Sequence, residues 1–147
     1  MKKKSRGTTL VEMLAAMTVI GLLVGVAGIW LKPMEAPLRS SVVLSQAFLR
    51  QARVTAMATT SAYRVRGSSE RELIAETAAS CTATTWTADD RMRLVLPDPV
   101  TLSETSWEVC FSARGMSQTS VQFGLSHPDL GEERIEVLRG GTTRVLP

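Results

Sequence analysis

The sequence predicts an α+β protein, with a long N-terminal helix packed on a small antiparallel β domain. Three observations predict it. An uncharged apolar run occupies the first part of the chain. A three/four spacing of apolar residues follows it. From Ala62 onward, short stretches of alternating side chains are separated by turn residues.

The elements follow in chain order. Residues 1–7 read as a basic leader, 8–31 as a transmembrane helix, 32–60 as its kinked amphipathic continuation, and 61–147 as the globular β-rich domain. From Met13 to Leu31 there are 19 residues without a charged side chain. As helix they measure about 28 Å, close to the thickness of a bilayer core. Lys2, Lys3, Lys4 and Arg6 precede the run and place its N-terminal end in the cytoplasm. Gly21 and Gly25 lie four apart on one face, which suits close helix packing or is merely tolerated there.

Pro33 and Pro37 predict a kink or break just beyond the apolar run. Leu38, Val42, Leu49, Ala52 and Ala56 then give an amphipathic helix over about Leu38 to Thr59, with Gln46, Arg50 and Arg53 on solvated faces. Six or seven short strands are expected after it. Ala62–Arg66 and Glu72–Ala75 flank a Gly-Ser-Ser turn, and Thr77 to Asp90 reads as a loop. Arg91–Leu96, Trp107–Phe111, Val121–Leu125, Arg134–Leu138 and Thr143–Val145 complete the set.

The formal net charge of +3 reflects the leader. Without its four basic residues, 13 remain of 17 against 14 acidic ones, so the rest of the chain sums to −1. A basic pI is therefore no argument for nucleic-acid binding. The two cysteines, Cys81 and Cys110, both follow the apolar run. An oxidising compartment would join them, and the alternative is a pair of free buried thiols.

Glu12 is out of place for a simple membrane anchor. A carboxylate in an apolar helix needs a counter-ion, and no basic residue within the segment can reach it. A cut just upstream would supply a free α-amine. The stretch Gly7-Thr8-Thr9-Leu10-Val11-Glu12 resembles the class III signal of type IV prepilins and pseudopilins. The resemblance implies a pilin-like fold and cleavage by prepilin peptidase between Gly7 and Thr8, with N-methylation of Thr8. Glu12, then the fifth residue, would meet the N-terminal amine of a neighbouring subunit during assembly. Thr8 departs from the pattern, since phenylalanine or methionine is commoner there.

The globular part resembles the GspH/FimT family of minor pseudopilins and minor pilins. The residues that carry this are Gln51-Ala52-Arg53, Tyr63-Arg64-Val65, Phe111-Ser112-Ala113-Arg114-Gly115, Arg134–Val137, and the Gly140-Gly141 turn before Arg144-Val145. The implied partners are prepilin peptidase, other pilins or pseudopilins, the assembly platform and the inner membrane. The implied location is the bacterial inner membrane, crossed once, with the domain outside the cytoplasm until assembly. Some members of the family take part in DNA uptake, which makes Arg134, Arg139 and Arg144 candidate DNA contacts. Glu132, Glu133 and Glu136 oppose that role.

Nothing in the sequence points to an enzyme. One histidine, His127, stands in what reads as a polar surface loop, and Ser126, His127 and Asp129 are no triad on spacing alone. The cysteines lack zinc-site spacing, and Asp89-Asp90 and Glu132-Glu133 read as solvated loop charge, so no metal and no cofactor are expected. The leading expectation is a structural filament subunit. The alternative is a membrane-tethered exported binding module, for a ligand or DNA, that joins no filament.

Overall fold

The protein is described from a computed structural model that covers residues 13–14, 17–18 and 36–146. The chain divides into two compact units, Met1–Met34 and Glu35–Pro147. In the first, Met13, Leu14, Met17 and Thr18 are helical, and Met13, Leu14 and Met17 are exposed. The predicted leader, Pro33 and the rest of the predicted membrane span lie outside the described residues. Among the described residues, no helix is long and apolar enough to cross a membrane.

The second unit opens with helix α1, Ala36–Thr59. Pro37 begins this helix and does not break it. It lies in the first turn, where a missing N–H costs nothing because no intrahelical acceptor exists there. Leu38, Ser41, Val42, Ser45, Phe48, Leu49, Ala52 and Ala56 form the buried face. Its small residues let the sheets approach closely. Ser41 returns its hydroxyl to the Pro37 carbonyl at 2.7 Å, whereas the buried Ser45 hydroxyl has no partner among the described residues. The helix ends where Thr60 takes a left-handed conformation, φ 54°, and Ser61 N–H reaches back to the Ala56 carbonyl at 3.1 Å.

Eight strands follow, one more than the upper expectation. They are β1 (Ala62–Ser69), β2 (Glu72–Ala78), β3 (Thr87–Val95), β4 (Thr101–Leu102), β5 (Glu108–Phe111), β6 (Val121–His127), β7 (Gly131–Val137) and β8 (Thr143–Leu146). They form two antiparallel four-stranded sheets, ordered β3-β2-β1-β5 and β4-β6-β7-β8. Val65, Leu73, Leu96, Val109, Phe111, Phe123, Leu125 and Ile135 fill one core with the helix face. Trp107 stacks on Phe123 with ring centroids 3.9 Å apart, joining the approach to β5 to the second sheet.

Three expectations need correction. The segment from Thr77 to Asp90 is a loop only in its middle, because β2 runs to Ala78 and β3 starts at Thr87. The first half of β3 is an edge exposed on both faces, so it carries no alternation to read. β4 is two residues long, and only its pairing with Ser126 and Leu125 defines it. Glu132 and Glu133 lie on β7, and Asp89 and Asp90 on β3, not in loops.

Candidate functional site

The residues predicted for processing and assembly, Gly7, Thr8 and Glu12, lie outside the described residues. The globular unit is therefore where surface chemistry can be built from geometry. Cys81 and Cys110 are joined by a disulfide, with Cα atoms 5.8 Å apart. The bond ties the segment after β2 to β5, across the intervening β1.

Arg64 on β1 and Arg144 on β8 are matched to carboxylates by strand register. Arg64 and Glu76 are direct partners in the β1–β2 pairing. Glu76 is buried, and it receives Arg64 at 2.6 Å and Arg66 at 3.0 Å. Hydrogen bonding from Arg66 first, then from Arg64, holds the Glu76 carboxyl below its ordinary pKa against the opposing effect of burial. Arg64 also reaches Glu108 at 3.1 Å and lies over the Trp86 ring at 4.4 Å. On the second sheet, Glu136 accepts from Gln122 and Arg144, which lower its pKa in that order.

Two of the three candidate DNA contacts are thereby occupied. Arg144 is bound to Glu136, and Arg134 to Glu132 at 3.1 Å. Arg139 is exposed and has no ion pair among the described residues. It stands on the turn between β7 and β8, which is closed by Gly141 N–H to the Leu138 carbonyl at 2.7 Å. The three do not make a free basic patch.

Arg53 is not on a solvated face as expected. It is half-buried and donates through Nη1 to the Gly141 carbonyl at 3.2 Å. Two tight turns meet there. One is Leu138–Gly141. The other is Ser112–Gly115, closed by Gly115 N–H to the Ser112 carbonyl at 2.7 Å. Gly115 and Gly141 have φ of 71° and 76°, in the left-handed region. A Cβ at Gly141 would run into the Gly115 carbonyl oxygen, and one at Gly115 would crowd Met57 and Arg53. Arg114 and Arg139 are exposed on these two turns, and Arg50 is exposed one helical turn before Arg53. Among the described residues none of the four makes an ion pair.

Ser126, His127 and Asp129 are not brought together as a triad. His127 ends β6 and is buried, not in a surface loop, and its Nδ1 accepts from the Asp129 backbone N–H at 3.1 Å. Ser126 and His127 are consecutive strand residues and so point to opposite faces. The same alternation divides Glu132 from Glu133 and Asp89 from Asp90. No group of three metal-ligating side chains occurs among the described residues.

The prokaryotic N-terminal methylation motif matches residues 2–28. With that motif ahead of one long helix on two antiparallel sheets, the comparison with solved structures is decisive for the fold. The type IV minor pilin FimU of Pseudomonas aeruginosa is similar with a TM-score of 0.54 at 18% identity, over 75% of this chain and 88% of that one. The fold is type IV pilin-like. The same fold occurs in the minor pseudopilin EpsH from the Type 2 Secretion System of Vibrio cholerae. There the TM-score is 0.55 at 18% identity, over 75% of this chain and 96% of that one. No curated protein matches the chain.

Proposed function

We propose that the chain is a minor pilin or pseudopilin, a structural subunit of a type IV pilus or a type II secretion pseudopilus. The carrying observation is the methylation motif at residues 2–28 followed by a pilin-like fold. Prepilin peptidase cuts between Gly7 and Thr8 and the new amine on Thr8 is methylated. The apolar helix crosses the inner membrane once, leaving the β domain on the extracytoplasmic side. The assembly platform then draws the helix into a fibre beside other pilins or pseudopilins, in a priming, tip or uptake position. There the Glu12 carboxylate meets the amine of a neighbour in a low-dielectric setting, where the attraction is far stronger than in water.

Mass spectrometry of the N-terminus tests the proposal in cells that contain the peptidase. The expected species begins with N-methyl-Thr8. Protein still beginning at Met1 would favour a tethered module outside any filament. A Glu12→Ala variant should insert as well as the parent or better, since an apolar helix no longer carries a charge, yet assemble poorly. A deletion strain assigns the system, since a pseudopilin loss blocks protein release and a pilin loss blocks piliation. DNA uptake through Arg134 and Arg144 is not favoured, because Glu132 and Glu136 already hold them.

A further inference from the structure

The core is left open at one edge of the second sheet. In the β7–β8 pairing Val145 stands directly opposite Ile135, so the two share a face. Ile135 is fully buried, whereas Val145 is 41% exposed. β8 is the edge strand, and a cleft of about 430 Å³ lies between it, β7 and the first half of α1. The apolar lining is Leu38, Val42, Val43, Leu130 and Val145. Val43 is 59% exposed at the rim, and Leu44 continues the apolar surface beside it, next to Arg39.

Two charges stand on different walls of the cleft. Arg39 lies on α1 and Glu133 on β7. Arg39 is exposed and Glu133 is half-buried. Neither forms an ion pair, with the other or with any described residue. A carboxylate drawn partly out of water among apolar side chains lacks a cation that would offset its lost hydration. The cleft therefore suits an occupant that carries an anion, a cation and an apolar part together.

The chain itself restricts where such an occupant comes from. Five peptide links separate Leu31, the end of the apolar run, from Ala36, the start of α1. Fully extended they span about 18 Å. Leu38 and Arg39 follow at once in the first turn of α1. A helix that crosses the bilayer up to Leu31 thus keeps these residues within reach of phospholipid headgroups. A phosphoethanolamine headgroup has the required parts. Its phosphate complements the Arg39 guanidinium fork, its ammonium can donate to Glu133, and the glycerol and acyl end meets the apolar lining. A phosphoglycerol headgroup satisfies Arg39 but brings no cation to Glu133. A phosphocholine headgroup keeps the cation but has no N–H to donate.

We propose that this cleft binds a phospholipid with a phosphoethanolamine headgroup while the subunit waits in the membrane. The site rests on the membrane-anchored reading given above and adds to it a lipid-facing surface on the globular unit.

Photo-crosslinking of the purified full chain in vesicles tests it. A single photoreactive residue replaces Val43 at the rim, Met17 in the apolar run, or the exposed Val95 on β3 of the other sheet. The vesicles are phosphatidylcholine alone, or phosphatidylcholine mixed in equal parts with phosphatidylethanolamine or phosphatidylglycerol, and adducts are identified by mass. Position 43 should yield phosphatidylethanolamine over phosphatidylcholine by about threefold, the size of an exposed ion-pair effect. Position 95 should yield little lipid adduct. Glu133→Gln should remove the preference, and Arg39→Gln should lower every phospholipid adduct at position 43. Lipid adducts at position 17 with none at position 43 overturn the site and leave the membrane anchor standing. Absence of lipid adducts at both positions overturns both. Equal yields for the three lipids, or an excess of phosphatidylglycerol, overturn the headgroup assignment. Equal yields at positions 43 and 95 overturn the cleft as a distinct site.

Discussion

Replacing Cys81 and Cys110 together by serine should cost the globular unit several kcal/mol. The bond closes a loop with a sequence separation of 29. In the loop-entropy treatment that loop takes about 12 cal/mol/K from the unfolded chain, or about 3.6 kcal/mol at 25 °C. For a domain of this size the unfolding entropy is roughly 0.23 kcal/mol/K, so the melting temperature should fall by about 15 °C. The fold itself should persist, because Cys110 keeps its backbone pairing with Arg64 in β5–β1 and neither sulfur fills the main core. The clean comparison is urea unfolding of residues 35–147 in both forms. The midpoint should drop and the slope should rise, since an uncrosslinked unfolded chain exposes more surface. Limited proteolysis should also open the segment 79–86, whose hydrogen bonds from Ala83 N–H to the Ser80 carbonyl and from Trp86 Nε1 to the Ala83 carbonyl are internal to it, while Arg64 lies over the Trp86 ring from outside. A loss below about 1 kcal/mol, with the slope unchanged, would refute loop closure as the source of stability.

Three further perturbations are smaller. Ser45→Ala removes a buried hydroxyl without a partner and adds a better helix former, so stability should rise by about 1 kcal/mol, read from the denaturation midpoint. Thr60→Gly relieves a left-handed β-branched residue at some cost in chain entropy. A net gain of about 0.5–1 kcal/mol is expected in thermal melts. Glu76 has a lowered pKa in the fold, so its contribution is fully present above the ordinary carboxylate value and is lost as pH falls through the folded value. Stability profiles should therefore decline below about pH 4, and Glu76→Gln should flatten that decline.

Much of the architecture was legible because burial imposes a period. Leu38, Val42, Leu49, Ala52 and Ala56 mark the buried helix face through spacing alone. Ser41 and Ser45 share that face, but their polarity hides them. The strands β1, β5 and β6 alternate where one face meets the core. The start of β3 does not, since both its faces meet solvent. Arg53 looked solvated because its acceptor is a backbone carbonyl 88 residues away, which no local pattern encodes. The ion pairs of Arg64 and Arg144 were closer to hand. Hairpins centred on Glu70 and Gly140 place Arg64 opposite Glu76 and Glu136 opposite Arg144, and both registers occur. Applying that symmetry to the sequence would have removed Arg144 from the candidate DNA contacts.

The same distinction separates folding charges from charges free to act elsewhere. Arg64 and Arg144 acquire their partners through strand register, so reversing Arg64 leaves Glu76 buried beside a like charge. Arg114 and Arg139 stand on turns whose conformation is set by Gly115, Gly141 and backbone hydrogen bonds, with no part taken by their own guanidinium groups. Exposed substitutions of this kind usually change stability by less than about 0.5 kcal/mol. Reversing Arg114 and Arg139 together should therefore leave the melting curve in place. A lowered melting temperature would mean the turn arginines are structural after all.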